Sequence, residues 1–243
     1  MERSITSWHS PSLNKQMEIV TYGHFGTALL LLPTAAADYL EYERFLLIDA
    51  IQPLIDSGKF KVFSINSINS ESWLNTKMHP KHKAIRHQQF NSYVYNEVIP
   101  FIKANTSEDT DIIVSGASLG ALHSANLMFK RPDLISGVIA MSGVYDLTQY
   151  TDGYFDTDVY FNSPVHYIPN LEDSFFLPLL QKSKHIHFVS GSGNYESPDA
   201  SRTMSDILNK KGIPNTLDIW GPDMTHDWPT WRAMLPYYLE SKF

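Results

Sequence analysis

A short segment of the chain, Gly116-Ala117-Ser118-Leu119-Gly120, presents one serine between small residues. The residues before it, DIIV, favour a strand, and those after it, LGALHSANLMF, favour a helix. A G-x-S-x-G turn between a strand and a helix strains its serine and exposes the hydroxyl. The segment predicts Ser118 as a nucleophile, with the Leu119 N–H at the helix start as an oxyanion donor. The alternative is a Gly/Ser-rich loop, for example one that binds phosphate.

A serine nucleophile needs a base, because its hydroxyl is not appreciably ionised near neutral pH. When the order along the chain is serine, acid, histidine, the base comes last, and His226 in the loop GPDMTHDWPTW is the expected residue. The acid orients the imidazole and should follow the predicted strand HIHFVSG. Glu196 is the preferred acid. Asp199 is the alternative, although it would also serve as a helix N-cap, and Asp146 and Asp223 are weaker contenders.

A second oxyanion donor is expected in the loop that follows the predicted strand TALLLLPT. Its residues are small, so the backbone can come close to a ligand. We assign the donor to the Ala35 N–H, with Thr34 and Ala36 as near alternatives. A simple strand-to-helix loop capped by Asp38 is a compatible interpretation.

The elements that must position these residues alternate along the chain. Apolar, β-branched-rich segments alternate with helical ones, which predicts a doubly wound, mostly parallel α/β sheet. SITSWHSPSL and KQMEIVTYG predict an antiparallel hairpin at the N-terminus. We expect one domain over residues 1–243, with an aromatic-rich insertion after the sixth strand, at 144–183, that covers the active site. The predicted helices are Tyr42–Asp56, Ala84–Asn105, Leu119–Lys130, Ala200–Lys211 and Trp228–Glu240.

Several aromatic residues are candidates for the wall of a substrate pocket. The insertion is rich in Tyr and Phe and follows a strand whose carboxyl end borders the predicted site. Packing in a second small core is the alternative for these residues. The selected pocket candidates are Trp73, Tyr145, Trp228 and Trp231.

Composition narrows the classes of partner. The formal charge of −7 argues against nucleic acid or an anionic membrane. The absence of cysteine excludes disulfides and thiolate zinc sites. The N-terminus MERSITSWHS lacks an apolar signal core, so we expect a cytoplasmic protein. No nucleotide signature occurs, so no cofactor is implied. His79, His82 and His87 in HPKHKAIRH are expected at a solvated helix entry rather than at a metal site.

With these features together, nearly the whole chain resembles the α/β-hydrolase superfamily, in particular the esterase branch that includes esterase D-like and antigen 85-like proteins. The likeness rests on GASLGA, MSGVYDL and GPDMTHDWPTWRAMLPYYL, and on Gly191 to Glu196, which match a G-x-G-x-[WY]-E pattern. The resemblance implies Ser118, Glu196 and His226 as nucleophile, acid and base. The loop LPTAAAD departs from the histidine-glycine pair of many relatives, so the resemblance does not identify the second oxyanion donor.

The sequence thus predicts a serine hydrolase that cleaves a small carboxylic ester through an acyl-enzyme. Two alternatives stay open: an acyltransferase with the same triad, and an inactive hydrolase fold used for binding. The preferred acyl and alcohol groups are left open, as is a homo-oligomeric state.

Overall fold

A computed structural model describes residues 1–35 and 37–243. These residues form an eight-stranded sheet in the order β1-β2-β4-β3-β5-β6-β7-β8. Strands β1 and β2 pair antiparallel, as do β2 and β4, and all the other neighbours are parallel. The predicted sheet with its N-terminal hairpin is therefore confirmed. The strands are β1 Arg3–Ser10, β2 Lys15–Tyr22, β3 Thr27–Leu32, β4 Phe60–Ile65, β5 Ile112–Ala117, β6 Gly137–Met141, β7 His185–Ser190 and β8 Thr216–Ile219.

Helices connect the parallel strands and cover both faces of the sheet. Short 3-10 turns occur at Asn69–Glu71, Thr148–Tyr150 and Ile168–Asn170, and a π-helical segment, Val94–Val98, joins two helices. No helix in the described residues has both the length and the apolarity needed to cross a membrane. The α-helices are α1 Glu41–Arg44, α2 Leu47–Asp56, α3 Pro80–Tyr93, α4 Ile99–Ala104, α5 Leu119–Lys130, α6 Thr157–Tyr160, α7 Pro164–Tyr167, α8 Phe176–Gln181, α9 Pro198–Lys210 and α10 Trp228–Ser241.

The continuously apolar strands reflect burial on both faces, because alternate side chains of a strand enter different layers. In β3, Leu30 and Leu32 enter a core that includes residues of α3, α5 and α9. Leu29 and Leu31 enter the opposite core, which includes residues of α2 and α10. Parallel strands β3, β5, β6 and β7 then end at one edge of the sheet, where the predicted functional residues follow them.

The insertion after β6 consists of α6, α7, α8 and short turns. Buried amides attach it to the helices beneath. The Asn162 side-chain oxygen accepts hydrogen bonds from Asn91 of α3, at 2.7 Å, and from Asn126 of α5, at 3.0 Å. These bonds satisfy buried polar groups and fix the insertion against α3 and α5.

Two predicted helices differ from those observed by more than two residues. The segment Tyr42–Asp56 is split into α1 and α2, because Leu46 adopts φ 61° and ends the first helix. The segment Ala84–Asn105 begins earlier, at Pro80, where the proline occupies the first helical turn and His79 caps it. The expected solvated helix entry is wrong for His87, whose side chain is buried within α3.

Candidate active site

The turn from β5 into α5 strains Ser118, whose backbone has φ 57° and ψ −120°. A positive φ is uncommon for a residue with a Cβ. The flanking glycines make the turn sterically feasible. A Cβ on Gly116 would lie 2.5 Å from the backbone of Gly120, and a Cβ on Gly120 would lie 2.5 Å from the Leu32 carbonyl oxygen. Ser118 is partly exposed and makes no capping hydrogen bond to α5, so that helix does not use its hydroxyl.

Helix α5 begins directly after Ser118, at Leu119. The N–H groups of a helix's first turn have no acceptor within the helix, and the helix dipole adds partial positive charge there. This end of α5 therefore favours negative charge beside the serine. The role of the Leu119 N–H as an oxyanion donor stays a prediction.

The loops after β7 and β8 bring Glu196 and His226 together. Nδ1 of His226 lies 3.4 Å from Oε2 of Glu196. The Glu196 side chain is fully buried, whereas 26% of the His226 side chain is exposed. The backbone N–H of His226 also donates to the Asn194 carbonyl at 3.1 Å, so both backbone and side chain join the two loops. The expected base thus contacts the preferred acid.

Two serines and a tryptophan surround the Glu196 carboxylate. Ser142 donates to Oε1 at 2.6 Å, and Ser190 donates to Oε2 at 3.1 Å. The indole N–H of Trp231 donates in turn to the Ser142 hydroxyl at 3.0 Å. Burial acts to raise the pKa of Glu196, but hydrogen bonds from His226, Ser142 and Ser190 bring that pKa below its ordinary value. Glu196 is therefore an ionised carboxylate at neutral pH.

The end of β6 connects the serine turn to the acid. The Ser118 N–H donates to the Met141 carbonyl at 2.9 Å, and the next residue, Ser142, is the one that donates to Glu196. Ser142 itself has φ 49°, and its N–H donates to the Val189 carbonyl at 2.7 Å. Sequence reasoning did not identify Ser142 or Ser190. The available signal is that each stands at the carboxyl end of a parallel strand: Ser142 follows β6, which pairs with the predicted nucleophile's strand β5, and Ser190 ends β7, the next strand beyond β6.

Glycines in the acid loop allow it to pack against the histidine loop. The Gly193 N–H donates to the Met224 carbonyl at 2.9 Å, and a Cβ on Gly193 would lie 2.5 Å from the Pro222 carbonyl oxygen. Gly191 also contacts the Met224 backbone, with no room for a side chain. The glycines of the G-x-G-x-Y-E segment are thus required by close approach of two backbones.

The remaining predicted acids engage other partners. Asp199 is 90% exposed on its side chain and pairs with Arg202 at 3.2 Å. Asp146 accepts the backbone N–H of Thr148 at 2.8 Å, in a local turn at the start of the insertion. Asp223 is exposed in the loop before His226. Glu196 is the acid candidate for which a bond to His226 is observed.

The loop after β3 passes beside the serine turn. The Thr34 N–H donates to Oε2 of Glu41 at 2.8 Å, and its hydroxyl donates to Oε1 at 2.5 Å, so the Thr34 N–H is already engaged. Burial raises the pKa of Glu41 above its ordinary value despite these bonds. Ala35 is exposed and carries the next N–H along the loop. The alternative donor Ala36 lies outside the described residues.

Two of the four aromatic pocket candidates, Trp231 and Trp73, pack near His226 and Leu119 respectively. Trp231 packs edge-on against the His226 ring, with ring centroids 5.2 Å apart. Trp73 belongs to a small apolar cluster that also contains Leu119. Both tryptophans are buried, at 5% and 2% exposure, so their observed contacts are with protein groups.

The other two candidates pack against other aromatic side chains. Tyr145 lies edge-on to Phe188 of β7, with ring centroids 5.3 Å apart. Trp228 stacks on Phe45, at 4.6 Å between centroids. Both are buried, and a role in lining a pocket stays a prediction.

Comparison with known proteins defines the class. The overall fold recurs in solved structures that share little sequence with this chain. A ferulic acid esterase superposes with a TM-score of 0.75 at 19% identity, covering 98% of this chain and 96% of that one. Staphylococcus aureus FphF, described as a fluorophosphonate-binding serine hydrolase, gives a TM-score of 0.68 at 16% identity, covering 98% of this chain and 97% of that one. Mycobacterium tuberculosis MPT51 (FbpC1) gives a TM-score of 0.71 at 15% identity, covering 99% of this chain and 97% of that one.

The family model described as "Putative esterase" matches residues 54–242. The chain therefore belongs to this esterase family and is an enzyme of the carboxylesterase type. The resemblance inferred from GASLGA and the C-terminal segment is confirmed. A search of curated proteins finds no match.

Proposed function

We propose that the protein hydrolyses carboxylic esters through an acyl-enzyme, with Ser118 as nucleophile, His226 as base and Glu196 as the acid that orients it. The observation that carries this proposal is the contact of His226 with the buried, ionised Glu196. The pair is linked to the serine turn through the end of β6, because the Met141 carbonyl accepts the Ser118 N–H and the next residue, Ser142, donates to Glu196. A base oriented by a carboxylate is what a serine nucleophile requires.

In the acylation step, the Ser118 oxygen forms a bond to the ester carbonyl carbon and its proton passes to Nε2 of His226. The carbonyl electron pair moves onto the oxygen, where the N–H groups of Leu119 and Ala35 stabilise the negative charge. The C–O bond to the alcohol then breaks, and the alcohol leaves with the proton from His226. Glu196 stabilises the imidazolium that forms between these transfers.

In the deacylation step, His226 takes a proton from water, whose oxygen attacks the acyl carbon. The second oxyanion collapses, the bond to the Ser118 oxygen breaks, and the serine recovers its proton from His226. The product is the free carboxylic acid. Glu196 stays ionised throughout, because the hydrogen bonds from Ser142 and Ser190 stabilise its negative charge.

For the substrate class, we propose an ester with an apolar or aromatic acyl group. Support comes from the apolar cluster of Leu119, Trp73, Leu147 and Val159, which extends from the serine turn to the insertion. In this proposal residues 144–183 cover the site within a single domain. The neighbour described as a ferulic acid esterase makes aryl acyl esters sensible members of a test panel.

The test compares Ser118→Ala with Ser136→Ala on p-nitrophenyl acetate, p-nitrophenyl butyrate and a feruloyl ester. Ser136 is a similarly half-buried serine that precedes β6, at the opposite end of that strand from Met141. We expect Ser118→Ala to abolish turnover and labelling by a fluorophosphonate probe, with the fold retained, and Ser136→Ala to keep both. Turnover that survives in folded Ser118→Ala would refute the assignment.

A further inference from the structure

A chain of buried hydrogen bonds leads from the core to the loop after β3. The Trp73 indole N–H donates to Nδ1 of His87 at 2.9 Å. Nε2 of His87 lies 3.1 Å from Nδ1 of His123, and Nε2 of His123 lies 2.8 Å from Oδ1 of Asn69. The Asn69 amide nitrogen donates to the Thr34 carbonyl at 2.9 Å. The four side chains before Thr34 are at most 2% exposed.

The donors and acceptors of this chain have one consistent direction. An indole N–H can only donate, so Nδ1 of His87 accepts and its proton is on Nε2. That proton points to Nδ1 of His123, whose own proton is then on Nε2 and faces Oδ1 of Asn69. Both histidines are neutral in this arrangement, and burial lowers the pKa of each. This order of donors and acceptors requires the Asn69 side chain to direct its NH₂ group toward the Thr34 carbonyl.

The bond from Asn69 determines how the next peptide unit is turned. The Thr34 carbonyl and the Ala35 N–H belong to the same trans peptide, so they point in opposite directions. On the N-terminal side of this peptide, Glu41 accepts hydrogen bonds from the N–H and the hydroxyl of Thr34. On its C-terminal side, Ser67 donates to the Ala37 carbonyl at 2.8 Å. Rotation of the Thr34–Ala35 peptide would break the Asn69 bond.

The held loop lies directly against the serine turn. A Cβ on Gly120 would meet the carbonyl oxygens of Leu32 and Pro33 at 2.5 and 2.6 Å. We propose that Asn69, fixed by His123 and His87, is a positioning residue that keeps the Ala35 N–H directed at the oxyanion formed at Ser118. This inference rests on the proposed function, because it needs the acyl-enzyme chemistry at that serine.

The test compares Asn69→Ala with the matched control Asn91→Ala. Both asparagines are buried, and each donates one short hydrogen bond from its amide, but Asn91 bonds to the insertion. For Asn69→Ala we expect kcat to fall about tenfold or more, with KM within about twofold, because the lost interaction belongs to the transition state. Asn91→Ala should lower the unfolding temperature and leave kcat within about twofold. If Asn69→Ala does not fold, Asn69→Asp replaces it, since Asp still accepts from His123 but cannot donate to Thr34.

A second readout separates positioning from general loosening of the fold. A trifluoromethyl ketone adds reversibly to Ser118, with the proton passing to His226 and an alkoxide forming at the oxyanion site. Its inhibition constant should rise in Asn69 variants by the factor by which kcat/KM falls. His123→Gln keeps an N–H toward Asn69 and should retain most activity, whereas His123→Leu should behave like Asn69→Ala.

Three results decide the matter. A folded Asn69→Ala or Asn69→Asp protein with wild-type kcat and inhibitor affinity overturns the positioning role. Equal losses for the Asn69 and Asn91 variants also overturn it, because they indicate a structural effect only. A wild-type protein whose Ser118 is neither labelled by fluorophosphonate nor needed for turnover refutes the proposed function instead.

Discussion

Glu196→Gln isolates the contribution of one buried charge to the proposed mechanism. The amide has the shape of the carboxylate and can still accept a hydrogen bond from Ser142 through its oxygen. Its NH₂ group then faces Nδ1 of His226 and donates to it. In that tautomer Nε2 of His226 carries the proton and cannot take one from Ser118, and the imidazolium loses its countercharge.

The size of the effect follows from the distance between the two groups. Opposite charges 3.4 Å apart, the separation of His226 Nδ1 and Glu196 Oε2, attract by about 5 kcal/mol at an effective dielectric constant near 20. This attraction appears fully only when His226 is protonated, in the transition state. Because 26% of the His226 side chain is exposed, solvent screens part of it. We therefore expect kcat to fall by about 10³-fold, as each 1.36 kcal/mol is worth about tenfold.

The assay measures initial rates on p-nitrophenyl butyrate for Glu196→Gln and for Asp199→Asn. The Asp199 side chain is 90% exposed beside Arg202, so its variant should keep kcat within about twofold. Denaturant unfolding should show that Glu196→Gln folds, with a free energy of unfolding within about 2 kcal/mol of wild type. Loss of activity in Asp199→Asn together with near-normal rates in Glu196→Gln would show that Asp199 is the acid.

Three further predictions concern the frame around the site. Gly116→Ala should lower the free energy of unfolding by about 3 kcal/mol in denaturant titrations, because the added Cβ meets Gly120 backbone at 2.5 Å. Ser142→Ala should reduce kcat about tenfold in the butyrate assay, because it removes the 2.6 Å bond that holds Glu196; an unchanged kcat would contradict this role. Burial lowers the pKa of His123 from 6.5 to about 4. Below about pH 6.5 the unfolded chain therefore binds a proton at His123 that the folded chain does not bind. The free energy of unfolding should fall by about 3 kcal/mol between about pH 6.5 and pH 4. It should fall less in His123→Gln, as measured by unfolding at several pH values.

Features encoded in a short stretch of sequence were predictable. Helix α5 was predicted at Leu119–Lys130, the bounds it has in the structure. The strand-turn-helix context of Ser118 follows from residues within one pentapeptide and its flanks. Glu196 was preferred over Asp199 because it stands closer to the strand end, and it is the residue that contacts His226.

Features that depend on distant residues were not predictable from one sequence. The split of the predicted helix 42–56 at Leu46 is an example, since Phe45 is stacked on Trp228 far along the chain. The periodicity of apolar residues along the chain carries no information about such a contact. His87 was expected in a solvated segment with His79 and His82, yet α3 turns it inward to bond Trp73. The residues next to His87 in the sequence do not indicate that Trp73 is its partner.

The loop after β3 shows why the site needs groups from outside its own motif. In this loop Thr34 is followed by alanines, whose side chains cannot form hydrogen bonds. Its backbone is therefore held by groups from elsewhere, with Glu41 on the N–H of Thr34 and Asn69 on its carbonyl. An alanine-rich loop lets its backbone approach a ligand closely but leaves the direction of its N–H groups to such partners. If the Ala35 N–H binds the oxyanion, catalysis depends on Asn69 and on the buried histidines behind it as well as on the loop.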